Sequence, residues 1–364
     1  MKILEINKSD LQSNIEKIKE RAGETKIIAV VKGNAYGLGL KEFTEILIKN
    51  GITDLAVSSV EEAIELSELK VNANIYCLEA TSVKKEIEEL LAKNVIITID
   101  KFESAKILNE LAISKKKKAC AQIKVDTGFS RYGFSYLEKE TICKTIKECT
   151  SIEFEGVFSH FSYSYSQDEK FTRIQFDRFL EVKNYIEKND IIIPMYHICN
   201  SSAFLRFEDM FLDAVRIGSA FLGRISIENT LDLRKIACLK SNVVDVKEIH
   251  KNDFIGYSNS EKASKDMKLA IVPIGYADGF HLSVKNDTFK FIDRLRILKD
   301  SLMEIIKPSR IYVKINGRKY KVIGRIGMNH ITVDITNSSI KIGDIVELEG
   351  SPILVDSKIR REYV

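Results

Sequence analysis

Short apolar runs and amphipathic stretches alternate along the first two thirds of the chain. Eight runs rich in Val, Ile and Ala lie at residues 27–31, 54–58, 75–78, 95–99, 119–125, 154–158, 195–198 and 214–217. Between most of them, apolar residues recur at three- and four-residue spacing, as in VEEAIELSEL and KFTRIQFDRFLEVKNYIEK, which is typical of a helix with one buried face. Strands that alternate with helices in this way predict a parallel sheet with crossover helices.

The number of these units favours a closed barrel. Eight βα units fit a (β/α)8 barrel of the TIM type better than an open doubly wound sheet, because a barrel has no edge strand and buries both faces of its strands. The doubly wound sheet remains the alternative. From residue 239 onward the pattern changes to short alternating segments, such as LAIVPIGY and HITVDIT, parted by Gly, Asn and Asp. We therefore expect a barrel at 1–238 and a mostly β domain at 239–364, with an insertion of helical pattern at 280–309.

Composition narrows the class of protein without indicating a reaction. The 56 basic and 52 acidic residues give a net charge of +4, which is too weak to indicate a nucleic acid or an acidic surface as partner. No apolar run approaches the length of a membrane span or a signal peptide, and the six cysteines are scattered without metal-ligand spacing. We expect a cytoplasmic protein with reduced thiols, without a metal site, and with neither nucleic acid nor membrane as partner.

Candidate reactive groups stand at or just past the ends of the apolar runs. In a barrel of this type the carboxyl ends of the strands meet at one rim, so residues just past each run become neighbours. Asn200, Ser201, Gly218 and Ser219 follow the last two runs, at the loops that commonly hold phosphate in such barrels, and they supply hydroxyl, amide and backbone N–H donors. The other candidates at this rim are Lys32, Lys124, Asp126, Arg131, His160 and Arg216.

Lys32 is the candidate nucleophile. At the mouth of an apolar barrel, desolvation and the cations Arg131 and Arg216 disfavour its ammonium form, and a nucleophilic lysine beside a phosphate site suggests pyridoxal 5′-phosphate as cofactor. Taken singly, a lysine at a strand end is more often a solvated cap, and a histidine in an apolar run is more often a core residue. GNAYGLG is also not a dinucleotide fingerprint, because its glycines stand at 33, 37 and 39. The functional interpretation depends on the coincidence of these groups at one rim.

These motifs resemble those of the alanine racemase family, fold-type III enzymes that use pyridoxal 5′-phosphate, and the resemblance runs over nearly the whole chain. VVKGNAYG resembles the cofactor-lysine motif, which implies that Lys32 attaches the cofactor and that Tyr36 contacts its phosphate. KVDTGFSRYG implies that Arg131 contacts the cofactor and the substrate, and that Lys124 is a candidate for carbamylation. The segments SHF, CNSSA and VRIGSAFLG imply His160 beside the cofactor ring, Ser201 at the phosphate and Arg216 at the pyridine nitrogen.

The resemblance continues in the second domain. FIGYSNS resembles the segment that carries the second catalytic base, which implies Tyr257 in that role, and PIGYADGF places Tyr276 nineteen residues later, as in the family. GRIGMNHITVD implies a substrate-side loop with Met328, and Arg325 lining the entrance. In this family the tyrosine comes from a second subunit, so the resemblance implies a homodimer with active sites shared between subunits. Racemisation needs a proton removed from one face of Cα and returned to the other, a task for two bases such as Lys32 and Tyr257.

Three features depart from the family pattern. Asn329 stands where the motif normally continues with an aspartate, and a neutral amide there can hydrogen-bond a hydroxymethyl side chain. The tail after VELEGSPIL resembles a shortened version of the family's C-terminus, with Ser357 where a tyrosine normally reaches the phosphate. The insertion at 280–309 is the third departure, and it bears on the dimer surface or the channel entrance.

The prediction is therefore a pyridoxal-phosphate-dependent racemase that interconverts L- and D-alanine, with serine or a broader range of amino acids as the alternative substrate. A fold-type III decarboxylase or a pyridoxal-phosphate carrier protein would keep the cofactor without racemisation. Arg216 and the spacing of Tyr257 and Tyr276 argue against both. A barrel with a β interaction module would bind no cofactor.

Overall fold

The chain forms two compact units, and the structure, a computed structural model, describes residues 1–283, 291–306 and 309–364. One unit comprises Lys8–Ile236, and the other combines Met1–Asn7 with Ala237–Val364. In chain order the strands are β1 (Ile3–Ile6), β2 (Lys26–Val30), β3 (Asp54–Val57), β4 (Asn74–Ala80), β5 (Ile96–Ile99), β6 (Ala119–Asp126), β7 (Phe134–Ser135), β8 (Ile152–Phe158), β9 (Tyr196–His197), β10 (Ala214–Ile217), β11 (Ala237–Asn242), β12 (Asp245–Ile249), β13 (Phe254–Ile255), β14 (Glu261–Lys262), β15 (Met267–Val272), β16 (Tyr312–Ile315), β17 (Arg318–Ile323), β18 (Ile331–Asp334), β19 (Ile345–Leu348) and β20 (Arg360–Tyr363). The α-helical segments are α1 (Lys8–Ala22), α2 (Lys32–Tyr36), α3 (Leu40–Lys49), α4 (Val60–Glu68), α5 (Lys84–Ala92), α6 (Phe102–Ser114), α7 (Lys139–Glu148), α8 (Lys170–Lys188), α9 (Ser201–Arg206) and α10 (Phe291–Ile306).

Eight parallel strands close into a barrel in the first unit. They follow one another in the order β2, β3, β4, β5, β6, β8, β9 and β10, and β10 pairs with β2 to complete the circle. Strands such as β3 and β5 are buried at every position, because the barrel interior covers one face and the helices cover the other. Each of the eight apolar runs overlaps one of these strands, so the predicted closed barrel with a separate β domain is confirmed. The β10–β2 pairing rules out the doubly wound alternative, which would leave two open edges.

The helices cover the barrel with the faces that their sequence pattern predicts. In α3 the buried apolar residues include Leu40, Phe43 and Leu47, and their three- and four-residue spacing places them on one side of the helix. Because all eight strands run in the same direction, their carboxyl ends lie at one end of the barrel. The loops that carry the candidate residues therefore meet there.

The second unit is built on a mostly antiparallel sheet in the order β12, β15, β18, β17, β16, β19, β11, β1 and β20. The hairpin between β16 and β17 shows how its sequence determines the turn. Ile315 pairs with Arg318, so Asn316 and Gly317 form a two-residue loop, and both have positive φ angles, 51° and 75°. This is the conformation that the Asn-Gly pair favours in a tight hairpin.

The first strand belongs to the second unit, which corrects the expected barrel boundary at residue 1. β1 pairs antiparallel with β11 and parallel with β20. The isolated N-terminal run contains apolar residues that suit either unit, and its partners are more than 230 residues away in the chain. The pairing therefore could not be obtained from the local pattern, and Met1–Asn7 was assigned to the wrong unit.

The helical pattern within the insertion at 280–309 corresponds to α10, while residues 284–290 and 307–308 lie outside the described residues. Among the helices that the structure describes, none combines the length and apolar character needed to cross a membrane. Over the same residues, no cluster of three or more His, Cys, Asp or Glu side chains forms a metal site.

Candidate functional site

A cavity of about 400 Å³ lies where the barrel loops meet, and its size is within the range of small-molecule sites. The structure brings together in its lining ten of the eleven barrel candidates: Lys32, Tyr36, Lys124, Arg131, His160, Asn200, Ser201, Arg216, Gly218 and Ser219. Val30, Ser58, Leu78, Glu79, Tyr132, Phe158 and Ser202 complete the lining. Asp126, the remaining candidate at this rim, is not part of it.

Lys32 begins a left-handed turn directly after β2. Gly33, Asn34, Ala35 and Tyr36 have φ angles of 62°, 53°, 53° and 55°, a conformation that costs energy for residues that carry a Cβ. The turn places both Lys32 and Tyr36 on the cavity wall. Strained backbone of this kind clusters at functional sites, where the surrounding contacts hold it in place.

The charge state of Lys32 is set by burial and by two neighbours. Burial lowers the pKa of the Lys32 ammonium, the positive charge of Arg131 lowers it further, and the carboxylate of Glu62 opposes both effects. A lowered pKa increases the fraction of free amine at neutral pH, and the free amine is the form that acts as nucleophile or base. The structure therefore supports the sequence argument for Lys32 and adds Glu62, which that argument missed because it lies in α4.

Donor groups converge where the loops after β9 and β10 meet the left-handed turn. The backbone N–H of Gly218 donates to Ser201 Oγ at 3.0 Å, and a Cβ on Gly218 would lie only 2.3 Å from Tyr36 Oη. Only glycine therefore fits beside the phenol. Burial, followed by the charge of Glu62, raises the pKa of Tyr36 to about 12, so the phenol keeps its proton at neutral pH and can donate a hydrogen bond.

Asn200 holds the loop that carries these donors. Its Oδ1 accepts from the backbone N–H of Ala203 at 3.0 Å and from the hydroxyl of Ser164 at 2.8 Å. Its Nδ2 donates to the carbonyl of Phe161 at 3.3 Å. As the N-cap of α9 it fixes the serines that follow it on the cavity wall. The structure therefore supports a positioning role for Asn200 more directly than a role as ligand.

Arg216 is almost fully buried, with 2% of its surface exposed. Nη1 donates to Nδ1 of His197 at 2.5 Å, and Nη2 donates to the carbonyls of Ser159 at 2.5 Å and Ile198 at 3.1 Å. Nη2 also lies 3.3 Å from Nδ1 of His160. Burial lowers the pKa of Arg216 to about 10, which leaves the guanidinium protonated at neutral pH. It can donate to a bound group without giving up its proton.

Two polar residues inside strands extend this network. His197 Nε2 lies 3.0 Å from Gln122 Oε1, and a proton donated there leaves Nδ1 to accept from Arg216. Burial, followed by the charge of Arg216, lowers the pKa of both His160 and His197 well below the usual range, so both imidazoles are neutral. His197 and Gln122 were not among the residues selected from the sequence, although they lie in apolar runs as Lys124 and Arg216 do. The signal that could have identified them is a polar side chain within a barrel strand, because a polar group buried in the barrel interior needs a hydrogen-bond partner.

Lys124 is buried against an aromatic ring. Its Nζ lies 4.4 Å from the centroid of the Phe158 ring. Burial, followed by the charges of Arg216 and Arg131, lowers the pKa of Lys124 to about 7, although Asp126 opposes the shift. Near neutral pH this lysine is therefore partly a free amine.

The loop that carries Arg131 is fixed at its start by Asp126, and its Phe129 ring packs between Arg131 and His160. Asp126 Oδ1 accepts from the backbone N–H groups of Gly128 and Phe129, each at 2.8 Å. The guanidinium of Arg131 lies 4.3 Å from the centroid of the Phe129 ring, and that ring meets His160 edge-on with centroids 5.5 Å apart. Asp126 therefore shapes the loop, which explains its place at the rim without a place in the cavity lining.

A carboxylate also faces the cavity, although the sequence argument did not select it. The pairing of β4 with β5 shifts register between Cys77 and Ala80, and Leu78 and Glu79, which are consecutive, both line the cavity. A strand irregularity of this kind re-aims side chains. Glu79 accepts a hydrogen bond from the hydroxyl of Tyr132 at 3.2 Å. The alternation of an ideal strand would have placed only one of these two residues inside, which is why Glu79 was missed.

The remaining candidates lie together in the second unit. Tyr257, Arg325, Met328 and Asn329 line a separate cavity of about 410 Å³ with Gly256, Gly327, His330 and Thr332. Tyr257 is 71% exposed, and Arg325 Nη1 donates to Ser258 Oγ at 3.4 Å. These residues therefore form one accessible surface of that unit.

Tyr276 supports the same surface through its backbone. Its N–H donates to the carbonyl of Gly327 at 3.1 Å, and the N–H of Ala277 donates to the carbonyl of Met328 at 3.0 Å. A Cβ on Gly275 would lie 2.2 Å from the Gly327 carbonyl, so only glycine allows the two segments to meet. The Tyr276 segment thus holds the loop of Met328 and Asn329.

Comparison with known proteins agrees with these features. Residues 6–225 match the alanine racemase N-terminal domain and residues 236–361 match the alanine racemase C-terminal domain. The alanine racemase of Clostridium tetani is 35% identical over 353 residues, which cover 95% of this chain and 85% of that protein. Among solved structures, the alanine racemase of Clostridium difficile 630 is similar with a TM-score of 0.86 and 27% identity, covering 100% of this chain and 95% of the other.

The complex of the C. difficile protein with cycloserine is similar with a TM-score of 0.80 and 28% identity, over 96% of this chain and 86% of that one. The two domain matches together span almost the whole chain and follow each other in the order of the two structural units. The protein belongs to the alanine racemase family.

Proposed function

We propose that the protein is a pyridoxal-phosphate-dependent amino-acid racemase that interconverts L- and D-alanine. The observation that carries this proposal is the pairing, in one cavity, of a lysine of lowered pKa with a buried guanidinium whose acceptors are imidazoles and carbonyls. Membership of the family supports it, since the relatives are named alanine racemases. The six free cysteines fit the cytoplasm as the compartment.

The residues present fit the cofactor. Tyr36, Ser201 and the backbone N–H groups at the starts of α9 and of the turn at Ser219 would hold the phosphate, because N–H groups in a first helical turn have no partner earlier in the helix. Because Gly218 lies close to the Tyr36 phenol and has no side chain, its backbone faces the end of the cavity where the phosphate would bind. Lys32 would attach the cofactor, and Arg216 would donate to its ring nitrogen. Together these groups match the phosphate, aldehyde and ring nitrogen of one small molecule.

The proposed mechanism assigns one proton transfer to each face of the substrate. Bound pyridoxal phosphate would supply an electron sink that makes the Cα proton acidic. Lys32 Nζ would remove or return that proton on one face, and the phenolic oxygen of Tyr257 would accept it as phenolate or return it as hydroxyl on the other. Arg216 keeps its own proton, and Arg131 would bind the substrate carboxylate through its fixed charge.

Substitution of Tyr257 by phenylalanine should slow proton exchange selectively for one enantiomer. Removal of the hydroxyl deletes one of the two bases, and loss of a general base costs about 10²-fold or more in rate. Exchange at Cα of L- and D-alanine in heavy water, followed by proton NMR, measures both directions. Tyr312→Phe, which changes another exposed tyrosine of the same unit, is the matched control. Equal and small effects on both enantiomers would remove Tyr257 as a base.

We also propose a homodimer in which Tyr257 of one subunit serves the barrel of the other. The 71% exposure of Tyr257 supports this assignment, because the side chain is available to a second chain. Mixing and re-forming dimers of Lys32→Ala and Tyr257→Phe chains should restore about a quarter of the normal activity, since half of the dimers are mixed and each has one complete site. Activity assays of the mixture measure this, with each variant re-formed alone as control. A mixture as inactive as its parents would place both bases in one chain.

Lys124 is proposed as a carbamylation site that pairs with Arg131. Its amine reacts with carbon dioxide, forms the N–C bond and releases a proton, so the reaction needs the unprotonated form. Because the pKa of Lys124 is lowered to about 7, the carbamate should be present above neutral pH and be lost as the pH falls below 7. Carbon-13 NMR in ¹³C-bicarbonate should show one carbamate signal with this pH dependence. Persistence of that signal in Lys124→Met would contradict the assignment.

Serine is the second candidate substrate because Asn329 lies on the exposed surface beside Met328 and Tyr257. A neutral amide can donate to or accept from a hydroxymethyl group. Incubation with each enantiomer of alanine and serine in the presence of pyridoxal phosphate, followed by chiral chromatography, compares kcat/KM. We expect alanine to be the better substrate. Faster conversion of serine would reassign the substrate, and no conversion of either amino acid would overturn the proposed function.

A further inference from the structure

The left-handed turn that carries Lys32 and Tyr36 needs support from outside itself. Residues 33–36 all have positive φ angles, and non-glycine residues rarely adopt that conformation in succession. Within the turn, Gly37 N–H donates to the carbonyl of Gly33 at 2.8 Å, and Asn34 Oδ1 accepts from Leu40 N–H at 2.7 Å. The backbone N–H of Ala35 also donates to the carbonyl of Val31 at 2.9 Å. These bonds join the two ends of the turn but leave the N–H of Gly33 at its start, next to Lys32, to a partner outside the turn.

Glu62 supplies the contact at that start. One of its carboxylate oxygens accepts from the backbone N–H of Gly33, and the other accepts from the backbone N–H of Ser58 at 3.2 Å. Gly33 follows β2 and Ser58 follows β3, which are neighbouring parallel strands. The carboxylate therefore ties together two loops of the barrel, one of which carries Lys32. Hydrogen bonds to an ionised acceptor are stronger than those between neutral groups.

The position of Glu62 is itself fixed by the helix that carries it. Ser59 is the N-cap of α4, and its side chain accepts from the backbone N–H of Glu62 at 3.2 Å. A capped first turn holds its side chains in place. Glu61 lies beside it in the same turn but is exposed, and its side chain provides a comparison with nearly the same covalent surroundings.

The charge of Glu62 acts on both functional side chains of the turn. It opposes the fall in the pKa of Lys32 and contributes to the rise in the pKa of Tyr36. The other ionisable groups that line the cavity around Lys32 are Glu79, Lys124, Arg131, Tyr132, His160 and Arg216. Of these, Arg131 shifts the pKa of Lys32 in the direction opposite to Glu62. The negative charge of Glu62 therefore offsets the effect that Arg131, a cation on another loop, has on the pKa of Lys32.

We infer that Glu62 is a positioning residue of the active site: from outside the cavity lining, its carboxylate ties the left-handed turn to the loop after β3 and lies beside Lys32. The inference rests on the proposed function for the identity of the cofactor. Its geometric part does not, because the carboxylate bridges Gly33 and Ser58 whatever the cavity binds.

Two substitutions of Glu62 separate the effect of its charge from the effect of its side-chain length. Glu62→Gln removes the charge and keeps one acceptor oxygen, whereas Glu62→Asp keeps the charge and shortens the side chain by one methylene. The first measurement is the rate of acetylation of Lys32 by acetic anhydride as a function of pH, read by mass spectrometry on full-length protein stripped of cofactor. The second is the affinity for pyridoxal phosphate from its visible absorbance. Glu61→Gln is the matched control for both.

The two substitutions should give different patterns. Glu62→Gln should move the midpoint of Lys32 acetylation to lower pH, because a carboxylate that raises the pKa of this lysine is gone. Glu62→Asp should leave that midpoint unchanged and weaken cofactor binding about tenfold, the equivalent of one charge-assisted hydrogen bond. Glu61→Gln should match the unsubstituted protein in both measurements.

A midpoint in Glu62→Gln equal to that of Glu61→Gln, or unchanged cofactor affinity in Glu62→Asp, would overturn the inference. Should Glu62→Gln fail to fold, the cofactor affinity of Glu62→Asp still tests whether the Glu62 carboxylate bridge between Gly33 and Ser58 positions the turn. Absence of cofactor binding by the unsubstituted protein would reject the proposed function instead, and the acetylation midpoints would still decide the role of Glu62.

Discussion

Replacement of Lys32 by alanine is expected to abolish the visible absorbance of bound pyridoxal phosphate and to reduce racemase activity by about 10⁴-fold or more. Lys32 would supply both the covalent attachment and one of the two bases, so a single substitution removes two functions. Burial and the charge of Arg131 lower the pKa of this lysine, which increases the fraction of free amine available for both functions. An absorption spectrum and an alanine racemisation assay measure the two losses separately.

The matched control is Lys41→Ala, which removes an exposed lysine from α3, the helix that follows the turn. It should retain the absorbance and the activity of the unsubstituted protein. A Lys32→Ala protein that kept the visible absorbance would show that the cofactor is attached elsewhere. It would contradict the assignment of the cavity as well as that of the residue.

Substitution of Arg216 by alanine should destabilise the protein by about 3 kcal/mol or more. The guanidinium is 2% exposed and donates to His197 and to the carbonyls of Ser159 and Ile198. Without it these buried acceptors lose their partner, and each unsatisfied group costs about 1–3 kcal/mol. The loss of a large buried side chain adds a cavity. Urea unfolding followed by circular dichroism gives the free energy of unfolding.

Arg173→Ala is the comparison for this effect. Like Arg216, whose guanidinium lies 5.3 Å from the centroid of the Phe158 ring, Arg173 lies over an aromatic ring, that of Phe207. Arg173, however, is about half exposed and pairs with Glu169 and Asp209 at the surface. Surface ion pairs contribute about 0–1 kcal/mol, so this variant should unfold close to the normal urea concentration. Equal losses in the two variants would mean that the Arg216 network does not stabilise the barrel as its hydrogen bonds indicate.

The barrel was predictable because its sequence signal is local and repeated. Strands such as β3 and β5 are buried on both faces, so each appears in the sequence as a continuous apolar run. Lys32, Arg216 and the other rim residues could be selected because parallel strands bring their carboxyl ends together. Neither step required knowledge of distant contacts.

Other parts of the site depend on geometry that the pattern does not contain. Glu79 enters the cavity through a register shift in β4, and Glu62 reaches the turn of Lys32 from a helix. His197 and Gln122 lie inside strands, where a polar residue gives no sign of its partner. Each of these positions depends on an interaction between separate segments, which a one-dimensional pattern does not record.

The N-terminal strand shows the same limit at the level of the fold. β1 is a short apolar segment that precedes the first helix of the barrel, so its sequence position places it with the barrel. Its hydrogen bonds instead join it to β11 and β20 at the far end of the chain. Pairing between strands, which local sequence does not specify, decides to which unit the segment belongs.

Proton exchange at Cα tests the central claim most directly. The complete protein, supplied with pyridoxal phosphate in heavy water, should convert either pure enantiomer of alanine to the other, and the newly formed enantiomer should carry deuterium at Cα. Proton NMR combined with chiral chromatography distinguishes the two enantiomers and their isotopic content. Alanine that remains a single, undeuterated enantiomer in the presence of bound cofactor would contradict the account.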